Sequence, residues 1–414
     1  MPDASAPRAP LEIIDPAFYA AHGQPHEAWA RLRREAPVAW CEPPGMLPFW
    51  AITRYDDVVQ ISRDPERFQN APRMMVVPEE QFETENFPVR HLLNMDPPVH
   101  RDYRFLLSAH FTPRALERKR ASVERLVGEI LDAVAGRPEI DFVTDVSAVM
   151  PIAVIAEMLG LPDEDRALFF RWTNETLGAT DPEYQDGSSV RETADRAIKA
   201  QMEYFGRMVA ERRRRPTGDF IGILANAKLG GAPLPDFELL SYLILLVAAG
   251  NETTRNAASG GLLALIEHPA ELAKLRRNPA LVRPAVEEIV RWTSPVNQFC
   301  RTPVADVELH GQRIRAGENL CLFYGSANRD EKVFDAPMAF RVDRQPNRHI
   351  GFGIGEHVCL GAHLARLELQ ALFGALAARL ARIEPARPVE RLQSSFIGGI
   401  KHLPVRLELR PSAP

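Results

Sequence analysis

One of four cysteines, Cys359, lies within Phe352-Gly353-Ile354-Gly355-Glu356-His357-Val358-Cys359-Leu360-Gly361. Three glycines there let the backbone turn tightly about one sulfur. The stretch that follows, Leu360 to Leu380, has the apolar spacing of an amphipathic helix. A helix N-terminus favours negative charge and lowers a nearby thiol pKa. A wrapped, anionic cysteine suits an axial ligand to haem iron, where it pushes electron density to the metal and favours O–O cleavage. Two other readings use the same residues. A lone cysteine is most often a small buried hydrophobe. Paired with His357 or His363, Cys359 would be part of a metal site or a nucleophile and base, but no remaining ligand or third partner lies nearby.

Three further constellations carry possible chemistry. Ala249-Gly250-Asn251-Glu252-Thr253-Thr254 puts a carboxylate and two β-branched alcohols inside a long helical pattern, where they are poor helix formers. The glycine permits close approach of a ligand, and a threonine hydroxyl can divert backbone bonding and open the helix locally. A solvated Glu with a capping Thr pair explains the same residues. Glu288 and Arg291 share a helical face at i and i+3, which on a surface is worth a few tenths of a kcal/mol. His100 and Arg104 stand one turn apart after Met95-Asp96-Pro97-Pro98, and Arg301 follows Ser294-Pro295-Val296. Taken singly, each reads as a solvated surface residue.

Together these segments resemble the cytochrome P-450 family, over about residues 45 to 410. The Cys359 segment matches the family's Phe-Gly-x-Gly-x-His-x-Cys-x-Gly at Phe352, Gly353, Gly355, His357, Cys359 and Gly361. The resemblance implies that Cys359 ligates the iron of haem b. Ala249 to Thr254 resembles the oxygen-activation motif, small-Gly-x-acid-Thr. It implies that Ala249 and Gly250 lie against the haem, that Thr253 hydrogen-bonds oxygen there, and that Glu252 relays protons. Many members carry Asp where this chain has Glu252. His100, Arg104, Arg301 and His357 match the residues that hold the haem propionates, which buried carboxylates require. Glu288 and Arg291 resemble a buried structural pair, for which a planar guanidinium is suited. Ala327-Asn328-Arg329-Asp330 and Phe340 to Arg344 resemble further scaffold segments. The implied fold is mainly α with smaller β-sheets, a single-domain triangular prism with haem between the long central helix and the helix after the Cys loop.

Through Gly250 to Asn256 and the tail Phe396-Ile397-Gly398-Gly399-Ile400-Lys401-His402-Leu403-Pro404, the resemblance is nearest to bacterial members acting on terpenes, sterol side chains and related hydrocarbons. It implies a monooxygenase hydroxylating a small-to-medium hydrophobic substrate with O2. A peroxygenase using hydrogen peroxide, or a non-enzymatic haem redox or gas sensor, are the alternatives. Such a pocket must be apolar and desolvated. Its candidates are Met74, Met75, Val76, Phe82 and Phe87 in a long loop, Leu245 and Ala248 on the central helix, and Val296, Asn297, Phe299, Phe396 and Ile397, with Asn297 or Gln298 as polar anchor. Core packing is the competing role for each apolar one. The implied electron donor is a soluble iron-sulfur ferredoxin served by an NAD(P)H-dependent reductase. An acidic donor calls for a basic patch, with Arg114, Arg118, Lys119, Arg120 and Arg366 as candidates.

The elements that must position these residues are numerous. The 414 residues are ample for a large core. Fifty basic and 55 acidic residues, net −5, show no bias toward nucleic acid. Cysteines at 41, 300, 321 and 359 have no paired spacing, which fits a reducing cytosol rather than a disulfide framework. Met1 to Pro10 is Ala/Pro-rich without an apolar core, so a flexible segment over 1–10 is expected before one domain over 11–414. Leu239 to Ala249 is too short an apolar run to span a bilayer. The expectation is a cytoplasmic monomer. Helices are predicted at Ala28 to Glu35, Tyr55 to Ser62, Asp102 to Ala135, Pro151 to Leu159, Asp163 to Leu177, Val190 to Arg214, 235–267 and Pro284 to Trp292. A strand is predicted at Phe49 to Arg54, a long irregular loop over 69–94, and a strand-rich tail from Phe396 to Leu409.

Overall fold

A computed structural model describes residues 6–79, 89–185 and 189–411; Phe82 and Phe87 lie outside them. Its axis is the helix Asp236–Glu267, 32 residues long and buried on most of its faces. Val149–Leu159, Arg166–Leu177, Val282–Thr293 and Ala362–Arg379 pack around it. Glycine makes the closest of these approaches possible. A Cβ at Gly261 would come within 2.7 Å of the Ile289 side chain and 2.8 Å of Phe373. The central helix runs unbroken through Thr254, so the predicted local opening does not occur, although the Thr253 hydroxyl does donate to the Ala249 carbonyl at 2.8 Å.

The main sheet has five strands in the order Val38–Cys41, Phe49–Ile52, Leu320–Phe323, Gln298–Pro303, Phe68–Gln69. Phe49–Ile52 is antiparallel to the first strand and parallel to Leu320–Phe323. In the next pair Leu320 opposes Arg301, which seats that arginine on a central strand. A second sheet joins Leu380–Pro385, Pro404–Leu409 and Ile140–Asp141. The chain is a single domain of mainly α structure with small separate sheets. Among the described residues no helix is long and apolar enough to cross a membrane.

Several predicted elements are revised. The expected flexible segment is in part tied down: the Trp40 N–H donates to the Pro7 carbonyl and the Ala9 N–H to the Trp40 carbonyl, both at 2.8 Å, and Ala6 is buried. Composition suggested looseness, but this docking uses backbone groups that any composition supplies. The single helix predicted over Asp102 to Ala135 is three, Val99–Ser108, Pro113–Glu117 and Arg120–Val134. Pro113 starts a new helix at its N1 position, and the Thr112 hydroxyl caps it. Pro16–His22 is an additional helix whose signals, an Asp15 cap and Pro16 at N1, were present in the chain. Val190–Arg214 has its predicted bounds because Ser189 and Glu192 close a capping box.

Candidate functional site

The Cys359 loop is shaped by its own backbone. The Cys359 N–H donates to the Phe352 carbonyl and the Gly353 N–H to Ile350, each at 2.8 Å. Gly353 and Gly355 take φ of +69° and +80°, a region that favours glycine. A Cβ at Gly355 would also lie 2.2 Å from the Ser62 carbonyl, so this glycine lets the loop touch the end of the Tyr55–Ser62 helix. Gly361 differs: its φ is −84° and a Cβ would meet no protein atom within 4 Å. Cys359 is exposed as a residue, yet the surrounding protein desolvates its thiol. That desolvation raises the free thiol above its ordinary pKa, against the Gly361 N–H and the charges of Arg104 and Arg366. The predicted lowering by the helix terminus is outweighed by desolvation.

Basic side chains gather beside the sulfur. His100, 1 % exposed, packs its ring against His357 with centroids 4.1 Å apart. The helix Val99–Ser108 brings Arg104 round on the next turn, where its charge acts on both Cys359 and Tyr242 of the central helix. Burial, then the charges of Arg301, His100 and Arg104, push His357 down to about 2. These four residues therefore converge, as the sequence implied. Little protein charge answers them. Glu356 is bound by Arg101 at 2.6 Å and stands 3.8 Å from His100 Nδ1, too far for a hydrogen bond. His100 Nδ1 and His357 Nε2 are buried with no partner, and among the described residues Arg104 makes no ion pair within 4 Å. Arg301 donates to the Cys300 carbonyl at 2.7 Å.

A family model for cytochrome P450 matches residues 6–382. The chain belongs to the cytochrome P450 family. It is 35% identical to cytochrome P450-terp of a Pseudomonas species, covering 95% of this chain and 96% of that one. It is 37% identical to the steroid C26-monooxygenase of Mycobacterium tuberculosis, covering 95% and 91%. Among solved structures it resembles Mycobacterium marinum cytochrome P450 CYP268A2 in complex with pseudoionone, with TM-score 0.90 and 35% identity over 98% of this chain and 100% of that one. P450s are haem-thiolate monooxygenases, and this site passes the test of fit. The exposed Cys359 stands beside buried donors without partners and a cationic cluster short of carboxylates, which is what an iron porphyrin with two propionates would satisfy.

The central helix of this P450 sets two faces side by side. Tyr242, Ala249 and Thr253, at i, i+7 and i+11, share the face toward Arg104 and Cys359. Ala249 is exposed, while Leu245, Gly250 and Thr253 are half-buried. Glu252 points elsewhere. It is 1 % exposed and ion-paired with Arg255, also 1 % exposed. Burial raises the Glu252 pKa, while Arg255 and the Thr173 hydroxyl oppose the rise. Thr254 is buried and turns to Glu368, a carboxyl on the Ala362–Arg379 helix that burial pushes up to about 8. The sequence reading gave neither Arg255 nor Glu368 a role of its own. The i, i+3 spacing that singled out Glu288 and Arg291 also held for Glu252 and Arg255.

The candidate pocket residues divide. Met74 and Met75 are half-buried, and the Cys300 N–H donates to the Met74 carbonyl at 2.8 Å. Phe299 and Phe396 pack with ring centroids 5.6 Å apart, and half-buried Val296 bridges Ile397. Val76, Ala248 and Ile397 are instead buried in protein packing, at 5, 6 and 2 % exposure. Val76 belongs to the cluster that holds Trp29 and Phe323. Nor does Asn297 serve as a free polar anchor. It is fully buried, accepts from Gln24 Nε2 at 2.8 Å and donates to the Ser395 carbonyl at 3.2 Å. Gln298 is likewise engaged, accepting from Cys321 Sγ at 3.0 Å.

Behind the loop, Glu288 and Arg291 are both fully buried. Arg291 binds the carboxylate through Nε at 2.7 Å and Nη2 at 2.8 Å. Arg344, Asn347 Nδ2 and the Arg341 N–H donate to the same carboxylate at 2.9 to 3.1 Å. Asn328, from the predicted scaffold, accepts from the Ile350 N–H at 2.8 Å and so ties this network to the start of the Cys loop. On the outer side of that loop a groove of about 600 Å³ is lined by Arg120, Arg283, His363 and Arg366 among others. Three of the cations expected to form a partner patch are already engaged: Arg366 with Glu287, Lys119 with Glu157 and Arg120 with Glu117. Arg114 and Arg118 are exposed with no ion pair within 4 Å among the described residues.

Proposed function

We propose that this P450 hydroxylates a small-to-medium apolar substrate of terpene or steroid type, with two electrons from a soluble iron-sulfur ferredoxin and its NAD(P)H-dependent reductase. The observation that carries the site reading is the convergence of His100, Arg104, Arg301 and His357 beside the exposed Cys359, with little carboxylate to answer them. The substrate class is supported by the two curated relatives and by the pseudoionone complex of the structural neighbour.

Haem, when bound, supplies the activation of O2 and the insertion of one oxygen atom into a C–H bond, the other leaving as water. The chain's residues do the rest. Cys359 would hold the iron as a thiolate, since coordination deprotonates a thiol outright. His100, Arg104, Arg301 and His357 would hold the propionates with charge-assisted bonds. Met74, Met75, Leu245, Phe299 and Phe396 line the substrate side and exclude water, which strengthens every charge interaction inside. Thr253 rotates its hydroxyl off the Ala249 carbonyl to become a donor. Glu252, whose pKa burial raises, is the acid that supplies protons. Arg114 and Arg118 offer an acidic ferredoxin cations that the protein has not already paired.

The test is the absorption spectrum of dithionite-reduced holoprotein under carbon monoxide, wild type beside Cys359→Ser. A strongly red-shifted Soret band in the wild type, absent from the variant, is the expected result. Reconstituted wild type without a haem spectrum would return Cys359 to the role of a buried thiol. The substrate class is then tested by titrating terpenes, steroids and alkylbenzenes and following the haem band; no shift with any terpene or steroid would reject it.

A further inference from the structure

The ion pair on the central helix is built unlike the one at Glu288. Arg255 gives Nη2 to Glu252 and Nη1 to Asn174 Oδ1 at 2.7 Å. Its guanidinium carbon lies 5.7 Å from the centroid of the Phe170 ring. Asn174 and Phe170 belong to the helix Arg166–Leu177, as does Thr173, whose hydroxyl accepts from Asn251 Nδ2 at 2.8 Å. Tyr184, just beyond that helix, also interacts electrostatically with both members of the pair. The groups facing the Glu252 carboxyl thus lie on the side away from Thr253.

Both oxygens of Glu288 are bonded. Glu252 keeps Oε1 buried without a hydrogen bond, because the Thr173 hydroxyl that lies near the carboxyl donates instead to the Phe170 carbonyl at 3.0 Å. A pair built only to neutralise charge has no reason to leave a buried oxygen unpaired, because the desolvated atom is costly. An oxygen reserved for a proton has one.

We propose that Arg255, held by Asn174, is a positioning residue for proton transfer: it engages one oxygen of Glu252 and leaves Oε1 as the atom that takes up and releases the proton. The inference rests on the haem-thiolate reading above. A buried carboxyl that loses its cation becomes neutral rather than staying charged. Arg255 therefore keeps Glu252 able to give up its proton in the working pH range. Thr173 and Asn174 add no charge, so Arg255 is the cation on which this depends.

Holoenzymes of Arg255→Met, Arg255→Lys and Asn174→Ala are compared with wild type. Infrared difference spectra against pH follow the carboxylic-acid C=O band that Glu252→Gln removes. Peroxide released per O2 consumed, with ferredoxin and a steroid that shifts the haem band, reads proton delivery. In Arg255→Met the acid band persists to higher pH and peroxide rises on the order of ten-fold. Arg255→Lys restores most of both, and Asn174→Ala falls between. An unchanged band midpoint and peroxide fraction in Arg255→Met overturn the proposal. Equal loss of haem or fold in the Met and Lys variants, with Asn174→Ala unaltered, also overturns it, since a purely structural pair behaves that way. A wild type lacking the thiolate spectrum would instead reject the haem reading, and the infrared titration would still report on Arg255 and Glu252.

Discussion

Glu288→Gln keeps the shape of the side chain and removes one charge from a fully buried carboxylate. That carboxylate neutralises Arg291 and Arg344, 0 and 4 % exposed. Losing one partner of a buried pair costs roughly 3–5 kcal/mol, because the remaining charge is left uncompensated. Unfolding entropy of about 2.1 cal/mol/K per residue, over 414 residues, comes to roughly 0.9 kcal/mol per degree. The expected fall in Tm is therefore about 3–6 °C by calorimetry. The control is Glu129→Gln, which breaks the surface pair with Arg125, 59 and 69 % exposed. Such a pair is worth about 0.3–0.5 kcal/mol, so its loss lowers Tm by less than about 1 °C. Because Arg291 also donates to the Asn328 carbonyl at 3.0 Å, and Asn328 holds Ile350, Glu288→Gln should lose haem faster than the control. A Tm within about 1 °C of wild type, with normal haem retention, would refute the reasoning.

Two further perturbations separate charge from packing. Arg104→Leu removes a cation that has no ion-pair partner among the described residues, so the fold should survive while haem binding weakens. A charge-assisted bond of about 1.5–3 kcal/mol corresponds to roughly 10- to 100-fold in the haem dissociation constant, read from the haem-to-protein ratio after gel filtration; an undiminished ratio would remove Arg104 from the site. His402 concerns pH. Burial lowers its pKa, but bonds to Asp141 at 2.5 Å and Glu183 at 2.9 Å prevail and raise it. A folded-state pKa above the unfolded value means the imidazolium stabilises fully below about pH 6.5 and that this stability is lost as pH rises through the folded pKa. Wild type should thus lose Tm across that window and His402→Gln should lack that slope; parallel curves would sink the idea.

The Cys loop was legible because its signal is local. Gly353 and Gly355 are needed for positive φ and close approach, and those demands fall on residue types within a few positions of Cys359. The central helix and the Val190–Arg214 helix were legible for similar reasons, periodicity and a capping box. What failed was the assignment of apolar and amide side chains to a cavity. Val76 and Ile397 pack in protein while Met75 and Phe396 remain half-buried, and no feature of an apolar residue distinguishes filling a core from lining a pocket. Asn297 looked free because its partners, Gln24 and Ser395, are remote in sequence.

The central helix shows the same limit at closer range. Its motif locates Glu252 and Thr253 to the residue, yet neighbours on a helix differ by about 100° in direction. One faces the Arg166–Leu177 helix and the other the side of Cys359. Which face carries the buried cation is settled by Asn174 and Phe170, 81 and 85 positions from Arg255 along the chain. A motif therefore names the groups proposed to exchange protons, whereas the packing of a second helix decides which oxygen is bonded and which is left without a partner. The chemistry of the acid–alcohol pair is local in sequence, and its control is tertiary.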